Sequence, residues 1–409
     1  MTPRRVVVTG LGSISAAGAT QPELWEAVVA GRSAIRQIQR TFGTLTMSCP
    51  GGAAERYQPR AHFDDRQLLV NDRFAQFAVV AAREAVRDAG LPTPDDGRTA
   101  VILGNGNAGD ESREEAVLRL TEGKRRFSPT LVPRISPQAA VGFVGIDLGL
   151  RGPAFTVSTG CAAATHAIGL AFDMVRRGAV ERALTGGSEA ALTFSTLKSF
   201  EAMNVMATDT CRPFSGARSG MVLGEGAGVI VLETLEAARA RGARIYAELA
   251  GFGMTADAAD PVHPSIDGPA AAMAAALADA GLDGESIDYV NAHGTGTLVN
   301  DRVETRAIRR VFGEHAARLM VSSTKAVHGH ALGATGALEL CATAMALFTG
   351  IVPPTANFTE RDAECDLDYV PNTARRAPLR AAISSSFALG GLNAVVALRR
   401  FDDAQERLP

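Results

Sequence analysis

Short apolar runs of strand length alternate with helix-length segments from one end of this chain to the other, which restricts it to an α/β fold. The clearest strand-like runs are residues 100–103, 155–157, 229–232, 287–290 and 395–398, with a further one at 4–9. Helices are marked by their punctuation, as at 22–30 before Gly31, 72–89 before Gly90 and 269–280 before Gly281. Proline suits a first turn and glycine a left-handed end. The Ala-rich stretch 270–278 reads as a helix buried between two sheets.

A faint internal repeat adds to this. Gly224-Glu225-Gly226-Ala227-Gly228-Val229-Ile230-Val231-Leu232 echoes Gly390-Gly391-Leu392-Asn393-Ala394-Val395-Val396-Ala397-Leu398, each a glycine-rich loop feeding an apolar strand. Chance could produce one such echo. A duplicated αβ half, with residues 1–243 as one unit and 244–409 as the other, would bring two helix N-termini toward one central site. At 409 residues the chain exceeds the usual single core, which fits two similar halves.

Composition excludes several functions. A formal net charge of −3 gives no global reason to expect nucleic acid. No run approaches eighteen uninterrupted apolar residues, so no membrane span is expected, and the chain starts without a signal-peptide pattern, so a cytoplasmic location is expected. Cys49, Cys161, Cys211, Cys341 and Cys365 are scattered without a C-x-x-C pair, which argues against a disulfide framework and a zinc site.

One cysteine stands apart. In Val157-Ser158-Thr159-Gly160-Cys161-Ala162-Ala163-Ala164 an apolar run meets a glycine and a string of helix formers. That layout holds a thiol on a sharp turn at a helix N-terminus, where backbone N–H groups and the helix dipole favour thiolate. A free cysteine is more often a small buried hydrophobe. Two further segments favour the reactive reading, Asn291-Ala292-His293-Gly294-Thr295-Gly296-Thr297 and Lys325-Ala326-Val327-His328-Gly329-His330-Ala331-Leu332-Gly333. Each places a histidine at a strand end or in a glycine-flanked turn.

With these segments the chain resembles the β-ketoacyl-acyl carrier protein synthases, in particular the elongating Cys-His-His type of type II fatty-acid and polyketide systems. The similarity runs from Arg5-Val6-Val7-Val8-Thr9-Gly10 to Phe387-Ala388-Leu389-Gly390-Gly391-Leu392-Asn393. It implies a thiolase-like fold of duplicated αβ halves in an α-β-α-β-α layering. It implies that Cys161 accepts the acyl group, that His293 and His330 are the paired histidines, and that Lys325 and Glu339 support them. By the same resemblance Asp301 holds loop structure, and Thr295 and Thr297 contact the phosphopantetheine arm of an acyl carrier protein. The resemblance implies no cofactor or metal bound by the protein itself, and it implies that the oxyanion donors are the backbone N–H groups of Cys161 and Leu389.

Leu389 replaces the aromatic gate of the fatty-acid members, while Ser219 and Met221 replace a common acidic residue and Phe; both changes alter pocket shape more than chemistry. Lys124-Arg125-Arg126, with Arg212 and Arg66, is the candidate basic patch for the acidic carrier, a solvated charge run being the plainer alternative. Leu68-Leu69-Val70 falls where relatives carry further basic residues. His62, His166, His263, His315 and His328 read as surface or packing residues.

Joining two thioesters through carbon needs a thiolate, donors for two oxyanions and an enolate made without strong base. Decarboxylation of a malonyl group supplies the enolate, and neutral imidazoles stabilise it. A thiolase would need a second cysteine in the loop at 387–391, and none is there. A non-catalytic chain-length partner would lack Cys161. Open alternatives are a homodimer in fatty-acid synthesis or a heterodimer with a Cys-less partner in specialised polyketide, polyene or nodulation-type acyl synthesis.

Overall fold

Strand residues of both parities are apolar in this chain, and both faces of its sheet are buried. In the computed structural model, which describes residues 3–92, 97–124 and 126–402, Ala100 and Ile102 join one core cluster while Val101 and Leu103 join another on the opposite face. Val396 and Leu398 are likewise separated from Val395 and Ala397. Strands buried on both faces belong to a sheet covered by helices on each side.

In chain order the strands are β1 (Val6–Ser15), β2 (Arg36–Phe42), β3 (Leu45–Gly51), β4 (Thr99–Gly104), β5 (Ala154–Val157), β6 (Arg182–Glu189), β7 (Gly226–Thr234), β8 (Ala247–Ala256), β9 (Tyr289–Asn291), β10 (Met320–Ser322), β11 (Ile351–Val352), β12 (Arg375–Arg376), β13 (Ala381–Ala388) and β14 (Leu392–Arg399). Ten of them form one sheet in the order β10-β9-β13-β14-β8-β1-β7-β6-β4-β5. Outward from the β1–β8 junction, each half has two antiparallel pairings followed by two parallel ones. The echoing segments at 224 and 390 feed β7 and β14, which occupy the same place in the two halves.

Helices Ala163–Arg176 and Thr335–Thr349 touch strands of both halves and form the middle layer. Helices Arg73–Ala89 and Ala139–Leu148 cover the outer face of the first half; Asp267–Ala280 and Leu298–Phe312 cover that of the second. The result is the α-β-α-β-α layering of the thiolase-like fold. The Ala-rich helix is therefore an outer one, not an inter-sheet one as its composition suggested. Ala270, Ala272, Met273 and Ala276 are buried while Ala271, Ala274, Ala275 and Ala278 face water.

The 18-residue run Leu332–Thr349 is long and apolar enough to cross a membrane, but 83% of it is buried inside the fold as the central helix. At the crossing of the two central helices a Cβ on Gly336 would lie 2.1 Å from Thr165 Oγ1. Glycine there lets their first turns meet, and those turns follow Cys161 and His330.

Candidate active site

Cys161 sits in the 3-10 turn Gly160–Ala162, directly before helix Ala163–Arg176. Gly160 makes that turn in the left-handed region, at φ +56°. His293 lies just beyond the end of β9. His330 is held by its backbone: its N–H donates to the Val222 carbonyl at 2.7 Å and its carbonyl accepts from Gly224 N–H at 2.9 Å. The three side chains, from three distant segments, line one cavity of about 360 Å³.

The two imidazoles meet edge to face, with ring centroids 5.3 Å apart and planes at 82°. Lys325 and Glu339 are wholly buried and ion-paired. The Lys325 ammonium also donates to the His293 carbonyl and lies 3.4 Å from His293 Nδ1. An ammonium has protons to give and no lone pair, so Nδ1 of a neutral His293 must accept and its ring proton sits on Nε2. His330 Nδ1 meets Thr335 Oγ1 at 2.8 Å, while its Nε2 is buried with no partner among the described residues. Burial, and then the Lys325 charge, hold both imidazoles well below the usual histidine range. Both are neutral at pH 7.

Cys161 departs from the expected thiolate preference. Burial pushes its thiol up to about 11, against the opposing pull of Lys325 and of the backbone N–H groups of Cys161 and Leu389. Desolvation outweighs the helix-end dipole, so the resting sulfur is protonated. The same two N–H groups nevertheless converge on the sulfur.

Loop 293–297 is braced from helix Leu298–Phe312. Glu304, which sequence reasoning missed, accepts the N–H groups of His293 and Gly294, each at 2.7 Å. Asp301 accepts the N–H of Phe214 at 2.7 Å and that of Gly296 at 3.2 Å. The available signal was their spacing: two acids three residues apart share one helix face toward the loop. Glu189 was also missed. It accepts N–H groups from Gly106 at 2.6 Å and Gly333 at 3.1 Å, tying the His330 segment to the end of β6.

Thr295 and Thr297 line the cavity with their hydroxyls 2.9 Å apart. Met221 and Leu389 line it too, Met221 buried and Leu389 at the mouth. The basic patch is less free than its sequence suggested. Lys124 is paired with Glu122 at 2.7 Å, and Arg212 makes two bonds to Asp209 at 2.8 and 2.7 Å. Arg126 is exposed, and Arg125 lies outside the described residues. Of the remaining histidines, His328 is a satisfied core residue, bonded to the Gly329 carbonyl and Thr324 Oγ1. His263 is a surface residue, as expected, and it lines the cavity mouth beside Asp260.

A thiolase-like fold that gathers a half-buried thiol and two neutral imidazoles defines a class of thiol-dependent acyl-transferring enzymes. Residues 3–238 match the beta-ketoacyl synthase N-terminal domain, and residues 246–359 match its C-terminal domain. The chain is 49% identical over 405 residues to nodulation protein E of Rhizobium sp. (strain N33), covering 97% of this chain and 99% of the relative. It is 42% identical over 409 residues to 3-oxoacyl-[acyl-carrier-protein] synthase 2 of Staphylococcus aureus (strain N315), covering 98% and 99%. Among solved structures, the ishigamide ketosynthase/chain length factor superposes with a TM-score of 0.92 at 37% identity, covering 98% of this chain and 100% of that one. The chain belongs to the β-ketoacyl synthase family, and it is an enzyme of the β-ketoacyl-acyl carrier protein synthase class.

Proposed function

We propose that Cys161 accepts an acyl group from a phosphopantetheine-borne thioester, and that His293 and His330 hold the enolate formed when a malonyl-carrier thioester loses CO2. The observation that carries this reading is the buried, unpartnered Nε2 of His330 in the cavity that holds Cys161, beside a His293 ring whose proton Lys325 directs to Nε2. In the first step the Cys161 sulfur attacks the acyl carbonyl while its proton passes to the carrier sulfur, which leaves as the thiol. In the second, the electron pair released with CO2 moves to the malonyl α-carbon and is shared with its thioester oxygen, where two neutral N–H donors stabilise it. That carbon attacks the Cys161 thioester. The tetrahedral oxyanion is taken by the N–H groups of Cys161 and Leu389, and collapse expels the Cys161 thiolate and the β-ketoacyl-carrier product.

In this reading residues 1–243 supply the thiol and 244–409 the histidines. Lys325, Glu339 and Glu304 are positioning residues, acting through the His293 ring and loop. Thr295 and Thr297 steady the pantetheine arm, and Lys124, Arg126 and Arg212 serve carrier-protein docking. Leu389 and Met221 shape a site for a specialised acyl chain of the nodulation type, made in the cytoplasm by a homodimer or beside a Cys-less chain-length partner. Cys161 separates the chain from such a partner. Incubation with an acyl-carrier thioester should add one acyl mass that Cys161→Ala abolishes. Acylation of Cys49, Cys211, Cys341 or Cys365 instead would overturn the assignment.

A further inference from the structure

A second cavity, of about 660 Å³, opens between helix Gln21–Val29, the C-terminal turns of helices Arg73–Ala89 and Thr335–Thr349, and Tyr246 at the start of β8. It shares no lining residue with the cavity that holds Cys161. Its size is that of a small-molecule site. Trp25, the sole tryptophan of the chain, lines it together with Tyr246, Met345 and Phe348. The Tyr246 and Phe348 rings pack with centroids 5.1 Å apart, and Phe348 still leaves 45% of its surface exposed. Aromatic side chains around a concavity give a flat ring faces to stack on.

One polar group in this cavity has nothing to bind. Gln21 is only 6% exposed, and both its Oε1 and its Nε2 are buried with no partner among the described residues. Its main chain is pinned, with its N–H donating to Glu84 Oε1 at 2.8 Å. A buried carboxamide with neither end satisfied is costly, and such groups are rare in folded proteins. The neighbouring polar groups are already committed. Asp88 accepts from the Leu11 N–H at 3.0 Å and from the Tyr246 hydroxyl at 2.9 Å, and Arg244 is paired with Asp88 at 3.2 Å. Glu26, Glu84 and Asp88 outnumber Arg244 around the cavity, which disfavours an anion. A glutamine amide offers an acceptor beside a donor, the edge that pairs bidentately with the amino group and ring nitrogen of adenine. We propose that this cavity binds an uncharged purine nucleoside of the adenosine type, its ring stacked at Trp25 and Phe348 and its amino edge on Gln21.

The lone tryptophan makes the test site-specific, because any saturable change in tryptophan fluorescence reports Trp25. Adenosine should quench wild type with a Kd below about 1 mM. Gln21→Leu exchanges an unpartnered polar side chain for an apolar one of similar size, so it should unfold in urea no earlier than wild type, and it should bind adenosine at least about tenfold more weakly. Phe348→Ala, at a half-exposed position, should weaken binding about three- to tenfold. Purine riboside, which lacks the amino group, should bind wild type at least about tenfold more weakly than adenosine and should bind Gln21→Leu as it binds wild type. No saturable change up to about 5 mM adenosine would overturn the proposal. So would equal affinity of wild type and Gln21→Leu for adenosine, or of wild type for adenosine and purine riboside, since the Gln21 edge would then read nothing. Tighter binding of AMP than of adenosine would make the site one for a phosphate and would overturn it as well.

Discussion

Replacing Lys325 with Met tests the buried ion pair and the tautomer argument together. Both partners of the Lys325–Glu339 pair have fully buried side chains, and the ammonium also serves the carbonyl and ring of His293. Methionine keeps the length and removes the charge. Stranding one partner of a buried pair costs about 3–5 kcal/mol. Here the lower end is expected, because burial already lifts the Glu339 carboxyl to about 7 and without Lys325 it is protonated at neutral pH. Condensation should fall about 100- to 1000-fold, the scale for losing one oxyanion donor, since nothing then holds the His293 proton on Nε2. A second variant, Lys325→Met/Glu339→Leu, removes the stranded carboxyl and should recover most of the stability. About 1–3 kcal/mol remains lost for the unpaired His293 carbonyl, and activity should not return. Equilibrium urea unfolding and steady-state condensation read the two effects. Wild-type stability in the single variant, or restored activity in the double, would refute the reasoning.

Alkylation of Cys161 by iodoacetamide, followed by peptide mass mapping, should accelerate about tenfold per pH unit from neutrality upward, because the thiol lies at about 11; a plateau near pH 7 would mean a resting thiolate. His328 has its pKa lowered by burial from 6.5 to about 3, so its neutral form favours the fold, a contribution fully present above about 6.5 and lost as pH falls. Wild type should therefore lose up to about 1.4 kcal/mol per pH unit more than His328→Gln below that point, measured by urea unfolding at graded pH. Leu389→Phe should keep turnover on short saturated acyl carriers and lose longer or unsaturated ones by roughly 10- to 200-fold in relative specificity, the range for a few methylenes in an apolar pocket; identical competition profiles would show that this side chain is not a gate.

The grouping of Cys161, His293 and His330 around one cavity was legible in the chain because all three sit in glycine-bounded turns at strand or helix ends, where local sequence dictates local shape. The duplicated sheet was legible for a similar reason, since β7 and β14 each follow a glycine-rich loop. What escaped was non-local. Glu189 reaches Gly106 and Gly333 across 83 and 144 residues of chain, and no window of sequence contains that pairing. The outer position of helix Asp267–Ala280 was hidden because alanine occupies both its buried and its exposed faces, leaving no hydrophobic contrast for periodicity to reveal. The protonated resting Cys161 was hidden as well: the helix-start signal is local, whereas the burial that outweighs it comes from segments remote in sequence.

The central claim is that acyl transfer depends on Cys161 and enolate formation on the histidine pair. The most direct measurement loads wild type, His293→Ala and His330→Ala with an acyl-carrier thioester, adds malonyl-carrier protein, and follows the mass of the Cys161 peptide with time. The account predicts acyl mass on Cys161 in all three proteins, cleared by malonyl-carrier in wild type and at least about a hundredfold more slowly in each variant. Clearance at the wild-type rate in both variants would contradict it.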